Sequence, residues 1–446
     1  MSVSIPFVLS LLSPAQGPLP KPLDLAKVLA RVTSKNLERS VRDLASFGTR
    51  HTFSTTEDPK RGIGAARDYI ERRLRAAAKR SSGRMKVERK TYELSMRHQG
   101  KKVRVVNLVA TIEGQQEPDR VFLVSGHYDS RNTDRKDGQH DAPGANDDGS
   151  GSAAVLEMAD ALADMPLRCS VRLVLFDGEE HGLWGSRQEA RDLSERGIQV
   201  EGMMTLDIVG NTEGPDGKRE GSYVRVFSYL KSAKGKASGG LDAPGRRLAR
   251  LVARAADVHV SDFRVKLIFR GDRYGRGGDH RPFAEQGIPA IRMTEPLENF
   301  GRQHQDVHPK NGRPYGDLPE YMDFGYLEKV SRTALAALLE QAQAPRPPRR
   351  VVARVQRDLS TALFLLPPEN AKGLAGYEVV WRPTTEARWK KARFFPAQGK
   401  GSPSSTRGFL KIQLKDLMLD DNIVAIRCVG ENGARSLAVS APERDL

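Results

Sequence analysis

The sequence predicts an α/β fold: a doubly wound, mostly parallel sheet with helices on both faces, followed by a small all-β sandwich. Three observations carry this reading. Short apolar strands alternate with helices as far as Gln343, a proline-rich run breaks the chain there, and period-two alternation takes over beyond it.

Residues 1–22 read as a leader. The apolar run IPFVLSLL from Ile5 is too short to span a bilayer, and SPAQG after it offers the small residues a signal peptidase needs, although no Lys or Arg precedes it. Export or secretion of the mature chain is the expectation. Residues 23–78 carry helical spacing in LAKVLARV and, after the turn at 62–64, in ARDYIERRL. Strands are expected at NLVATI from Asn107, VFLVSG from Val121, VRLVLF from Val171, MMTLD from Met203, VRVFS from Val224 and AIRM from Ala290. Helices are expected over 152–163 and 325–339. Residues 210–245, rich in Gly, Lys and Ser, read as a loop over one edge of the sheet.

The first domain is therefore bounded at 23–344. The run at 345–350 cannot continue a helix and stiffens the chain as a linker. Residues 351–446 alternate in YEVVWR and NIVAIRCV and turn at 367–373 and 430–433, which predicts an antiparallel sandwich.

The net charge of +16 raises the question of nucleic acid, but the basic residues are dispersed rather than clustered, so no nucleic-acid partner is expected. With 29% charged residues the chain is no membrane bundle, and no transmembrane segment is expected. Cys169 and Cys428 are too few for a disulfide framework or a cysteine metal site.

Sheets of this kind place ligands outside the carboxyl ends of their strands, and that is where the polar residues gather. GHYDS puts His127 and Asp129 two residues apart, so that alternation points both the same way and the carboxylate can orient the imidazole. The glycine-rich GANDDGSG delivers Asp147 and Asp148 at the start of a helix, where adjacent carboxylates can cap the helix or bridge cations. In LFDGEEHG an apolar strand runs into Glu179 and Glu180, two anions that only a positive centre or a raised pKa makes comfortable. Asp207 ends another strand, and ENFGRQHQDVH supplies His304 and His308. Each motif alone has a structural explanation; together, in this order, they point to a metal site.

In this combination GHYDS, GANDDGSG, DGEEHG and LDIVGN resemble the zinc aminopeptidase family with two co-catalytic metals, whose relatives include glutamate carboxypeptidase and glutaminyl cyclase. The resemblance covers roughly residues 37–342. It implies two Zn2+ per chain: Asp147 bridges them, His127 and Asp207 complete one, and Glu180 with a late histidine completes the other. Glu179 is then the general base. It also implies a cis bond between Asp147 and Asp148. Where the family often has its late histidine, four residues before an aspartate, this chain has Arg302. His304 takes the role, with His308 as the alternative. GGDHRPF resembles the family's SDHxxF helix start, which assigns Asp279 and His280 to capping or site support. The sandwich, with Trp381 and the ENGARS turn, resembles a fibronectin type III module that contacts a surface or another protein.

The expected activity is hydrolysis of the bond behind a free peptide or protein N-terminus. Two alternatives remain: a glutaminyl cyclase-like enzyme with one zinc, and a binding protein that kept the fold without turnover. GSGS around Ser150 lacks the strand-turn setting of a nucleophilic serine.

Overall fold

The computed structural model describes residues 21–95, 102–228, 242–310, 312–358, 360–399, 401–406 and 408–442. The leader, apart from its last two residues, lies outside them, as does the 229–241 part of the anticipated edge loop. The chain divides into two units, Asp24–Gln343 and a second that includes everything from Ala344 onward.

The first unit begins with three helices, α1 (Ala26–Leu29), α2 (Ser34–Ala45) and α3 (Gly62–Lys79). In α2, Leu37, Val41 and Leu44 fall on one face and are fully buried, while its Arg and Glu residues face outward. Then follow β1 (Met85–Ser95), β2 (Lys102–Ile112), β3 (Glu117–His127), α4 (Gly149–Leu162), β4 (Cys169–Phe176), α5 (Trp184–Glu195), β5 (Gln199–Leu206), β6 (Tyr223–Ser228), α6 (Pro244–His259), β7 (Arg264–Ile268), α7 (His280–Glu285) and β8 (Ala290–Thr294). A short ribbon, β9 (His308–Lys310) and β10 (Arg313–Tyr315), precedes the long α8 (Phe324–Gln343).

Eight strands form one sheet in the order β1-β2-β4-β3-β5-β8-β6-β7. The central run β4-β3-β5-β8 is parallel, and so is β6 with β7, but β1, β2 and the β6–β8 pairing are antiparallel. The sheet is thus mixed around a parallel centre. Helices α4 and α8 pack on one face of β3 and β4, while α5 and α7 cover the other. There Leu193 and Phe283 meet Leu123, Phe176 and Met203. Burial on both faces explains why β4 is apolar apart from Ser170 and Arg172, the latter paired with Glu189 at 2.7 Å.

The second unit has two four-stranded antiparallel sheets. One is β11 (Arg350–Val355), β12 (Thr361–Leu366), β16 (Phe409–Leu414) and β15 (Ser404–Thr406); the other is β14 (Lys391–Pro396), β13 (Leu374–Pro383), β17 (Asn422–Gly430) and β18 (Val439–Ser440). Leu363 and Leu365 of the first share a core with Val379, Trp381 and Ile426 of the second. The expected sandwich is present, and β11 starts at Arg350, so the stiff link is 345–349. Since each unit has its own core, a chain ending at Gln343 is expected to unfold cooperatively and to keep its activity. Thermal melting and turnover of the shortened chain check this; a molten, inactive product would show that the units depend on each other.

Among the described residues no helix is long and apolar enough to cross a membrane.

Candidate metal centre

Because β3, β4 and β5 are parallel, their carboxyl ends open on the same edge of the sheet, and each leads into a polar residue. His127 ends β3, Glu179 and Glu180 follow β4, and Asp207 follows β5. Two glycines let these ends approach the start of α4. A methyl group on Gly126 would lie 2.6 Å from the Gly151 carbonyl carbon, and one on Gly151 would collide with the Leu206 carbonyl oxygen. Only backbone fits there, which is why β3, α4 and β5 converge where their polar residues begin.

The two adjacent aspartates divide their work. Asp148 is the cap of α4: its carboxylate accepts from Gly151 N at 2.8 Å and from His127 N at 3.0 Å. Asp147 points the other way, with Oδ1 3.2 Å from His127 Nε2 and Oδ2 2.9 Å from His304 Nε2. The bond between them is cis. Asp317 holds the loop from outside, its two oxygens accepting from Asn146 N and Asp147 N, each at 2.8 Å.

Glu180 places Oε1 2.8 Å from His304 Nε2, while its Oε2 accepts from Arg131 Nε at 2.9 Å. Asp207 lies on the other side of His127, its Oδ1 3.9 Å from Nε2 and 2.8 Å from the buried guanidinium of Arg292. Glu179 is partly exposed, within donor range of His127 and Asp207.

Asp129 does more than orient the imidazole. His127 Nδ1 donates to the Asp129 backbone oxygen at 3.1 Å, with the carboxylate at 3.4 Å, and that carboxylate accepts from Glu179 N (3.1 Å) and Glu180 N (3.2 Å). One side chain therefore fixes the β4 turn against the β3 histidine. Asp129→Ala is expected to lower metal affinity by about 10–100-fold, the usual cost of losing such a partner. Zinc titration against a competing chelator measures it; unchanged affinity would reduce Asp129 to a packing residue.

The electrostatics call for added positive charge. Burial opposes protonation of His127 and His304, yet the surrounding carboxylates outweigh it, raising His127 well above its ordinary value and pushing His304 up to about 10. Burial, reinforced by Asp207 and Glu180, drives the Glu179 carboxyl well up. His127 Nε2 and Asp207 Oδ1 are buried and meet their charged neighbours without the alignment of a hydrogen bond. Two donor groups, His127 with Asp147 and Glu180, and His127 with Glu179 and Asp207, lie close enough to share an ion each. Nitrogen and carboxylate donors converging in this way fit zinc.

All five anticipated ligands are brought together, and His304, in a left-handed backbone conformation with φ 53°, reaches the cluster. His308 does not: it is exposed on β9, against the ring of Tyr315. Arg302 points elsewhere, to Glu213 at 2.8 Å. Of the two roles expected for Asp279, capping or site support, capping is not observed. It sits at the start of α7 but makes no capping bond; its carboxylate is buried, and burial raises it to about 7. His280 instead hydrogen-bonds through Nε2 to Gly271 O at 2.7 Å.

Arg131, Arg292 and Asp317 were not anticipated. Arg292 carried a signal, a charge inside the apolar AIRM strand, where an unpaired cation would be prohibitive. Asp317 carried none, being distant in sequence from the loop it holds.

Comparison with known proteins agrees with this centre. The model of Peptidase family M28 matches residues 107–338. A probable zinc metalloprotease of Leptosphaeria maculans is 40% identical, covering 93% of this chain and 96% of the relative. One of Pyrenophora teres f. teres is 39% identical over 94% and 88%. Among solved structures, the LapA aminopeptidase of Legionella pneumophila superposes with a TM-score of 0.53 at 19% identity, covering 74% of this chain and 79% of that one. The aminopeptidase from Aneurinibacillus sp. strain AM-1 gives 0.50 at 16%, covering 72% and 97%. These two establish the fold. With the family model spanning half the chain and close relatives aligning over nearly all of it, the chain belongs to peptidase family M28 and is a zinc metallopeptidase.

Proposed function

We propose that the chain is an aminopeptidase that holds two zinc ions and hydrolyses the bond behind a free amino terminus. The observation that carries this is Asp147, whose two oxygens face two different histidines. His127, Asp147 and Asp207 would hold one ion; Asp147, Glu180 and His304 would hold the other. When bound, zinc supplies Lewis acidity, polarising the scissile carbonyl and easing the deprotonation of water. Glu179, free of any ion pair and opening onto the cavity, takes the proton of the attacking water and returns it to the leaving amine. Asp129 keeps Glu179 and His127 in register, and Arg292 steadies Asp207. The cavity above these groups, about 660 Å³, suits a peptide end. Two proteins sharing the fold are named aminopeptidases, which supports that choice.

Export directed by the leader, a fibronectin type III-like character of the sandwich and its contact with a surface or another protein belong to the same reading. Sequencing the mature amino terminus tests the first.

Peptides with free and acetylated amino termini, assayed alongside zinc analysis, test the activity. Release of the first residue from free termini only, with two zincs per chain, is expected. Cleavage inside blocked peptides would replace the aminopeptidase reading with an endopeptidase.

A further inference from the structure

The walls of the active-site cavity carry more positive charge than the proposed chemistry uses. Besides the metal-site groups they present six arginines, Arg131, Arg135, Arg187, Arg273, Arg276 and Arg281. Its carboxylates are Asp147, Glu179, Glu180 and Asp207, of which three are engaged once cations are held. Arg131 sits on Glu180, Arg273 and Arg276 share Glu298 at 2.6 and 3.1 Å, and Arg187 has Glu285 at 3.5 Å. Arg135 and Arg281 have no carboxylate within ion-pair distance among the described residues. Arg281, on α7, has its Nε buried without a hydrogen-bond partner. Arg281 nonetheless lines the cavity, and a carboxylate is the acceptor that the planar fork of a guanidinium fits best.

The positive surface continues. Arg273, Arg276 and Phe300 also border a second cavity of about 520 Å³ on the face of β6 and β7 that α6 leaves open. In register there, Tyr223 lies opposite Arg264, Arg225 opposite Lys266 and Phe227 opposite Ile268. Like charges directly opposite on neighbouring strands repel. Glu298 relieves Arg225 at 2.6 Å and is the sole carboxylate of that lining, while Lys266 lies over the Tyr223 ring and Arg270 over the Tyr274 ring, neither with a carboxylate within ion-pair distance among the described residues. Phe300, 58% exposed, borders both cavities, and Tyr274, 88% exposed, lines the second.

We propose that this cleft selects acidic peptides. An Asp or Glu side chain near the amino terminus pairs with Arg281 beside the metals, and further carboxylates follow the β6–β7 face past Arg270 and Lys266. The proposal rests on the reading of the first cavity as the peptide site. Basic and aromatic groups in alternation also suit single-stranded nucleic acid; continuity with a peptidase centre favours the peptide.

Binding is measured separately from turnover, on the zinc-loaded full chain carrying Glu179→Gln, by fluorescence anisotropy with labelled hexapeptides that have free amino termini. A Glu- and Asp-rich peptide is expected to bind at least about tenfold more tightly than a neutral one at low salt, and the advantage should shrink as salt rises. Arg281→Gln, and Lys266→Gln with Arg270→Gln, should each bring the acidic-to-neutral affinity ratio closer to one. Equal affinities in the parent, a ratio unmoved by these substitutions, or displacement of the acidic peptide by a lower concentration of oligothymidylate would overturn the proposal. Cleavage of neutral and acidic peptides alike, with equal binding, would sink selectivity and leave the aminopeptidase reading standing. Selective binding without any cleavage by the wild type would do the reverse.

Discussion

Glu179→Gln is expected to keep both metals and to lower kcat by about 10²–10⁴-fold, the range that a positioned general base contributes. The substitution nearly preserves shape. Its backbone N–H stays on Asp129 Oδ1, so the turn after β4 and the neighbouring ligand Glu180 have no reason to move. What disappears is the capacity to take a proton. The geometry also allows a rival: Glu179 lies near enough to His127 and Asp207 to be a ligand itself. Zinc content measured beside turnover separates the two. Loss of a zinc together with activity would move Glu179 from base to ligand, and full activity would remove it from the mechanism.

The parts of this molecule that could be read in advance are those where one local pattern decides the outcome. The six anticipated strands lie within β2, β3, β4, β5, β6 and β8, give or take a residue at an end, because strands buried on at least one face carry runs of apolar residues. β1 escaped notice for the opposite reason. Its sequence, MKVERKTYELS, is largely charged, and its residues are mostly half-buried or exposed on a sheet edge where charge is favoured. What specifies it is long-range: eleven residues of pairing with β2 and the ion pairs of Arg89 and Lys90 with α3 and α5. The site divides in the same way. His127, Asp147, Glu180 and Asp207 stand at strand or loop ends that the chain's own order identifies, whereas Arg131 and Asp317 matter only because folding brings them to a histidine and a loop far away in sequence. Asp279 was legible as a helix start with two possible roles, and only the fold separates them: its carboxylate makes no capping bond and is buried instead.

Asp147→Ala is expected to have the largest effect, abolishing binding of both zincs under conditions that saturate the wild type, and turnover with it. The other ligands can be ranked against it. Losing His304 or Asp207 removes a donor from one set only, because each lies to one side of Asp147. Losing Asp147 removes a donor from both and leaves His127 Nε2 and His304 Nε2 facing each other across a gap with no anion between them. The loss should therefore exceed the roughly 10–100-fold that follows from removing an outer partner such as Asp129. The fold itself should survive. The loop is held by backbone N–H groups of Asn146 and Asp147 on Asp317 and by the Asp148 cap, none of which needs the Asp147 side chain. Zinc counted per chain by elemental analysis, with circular dichroism as the control for folding, decides the matter. A folded variant that retains two zincs would show that Asp147 is not the bridge, and one that retains a single zinc would assign it to one ion alone.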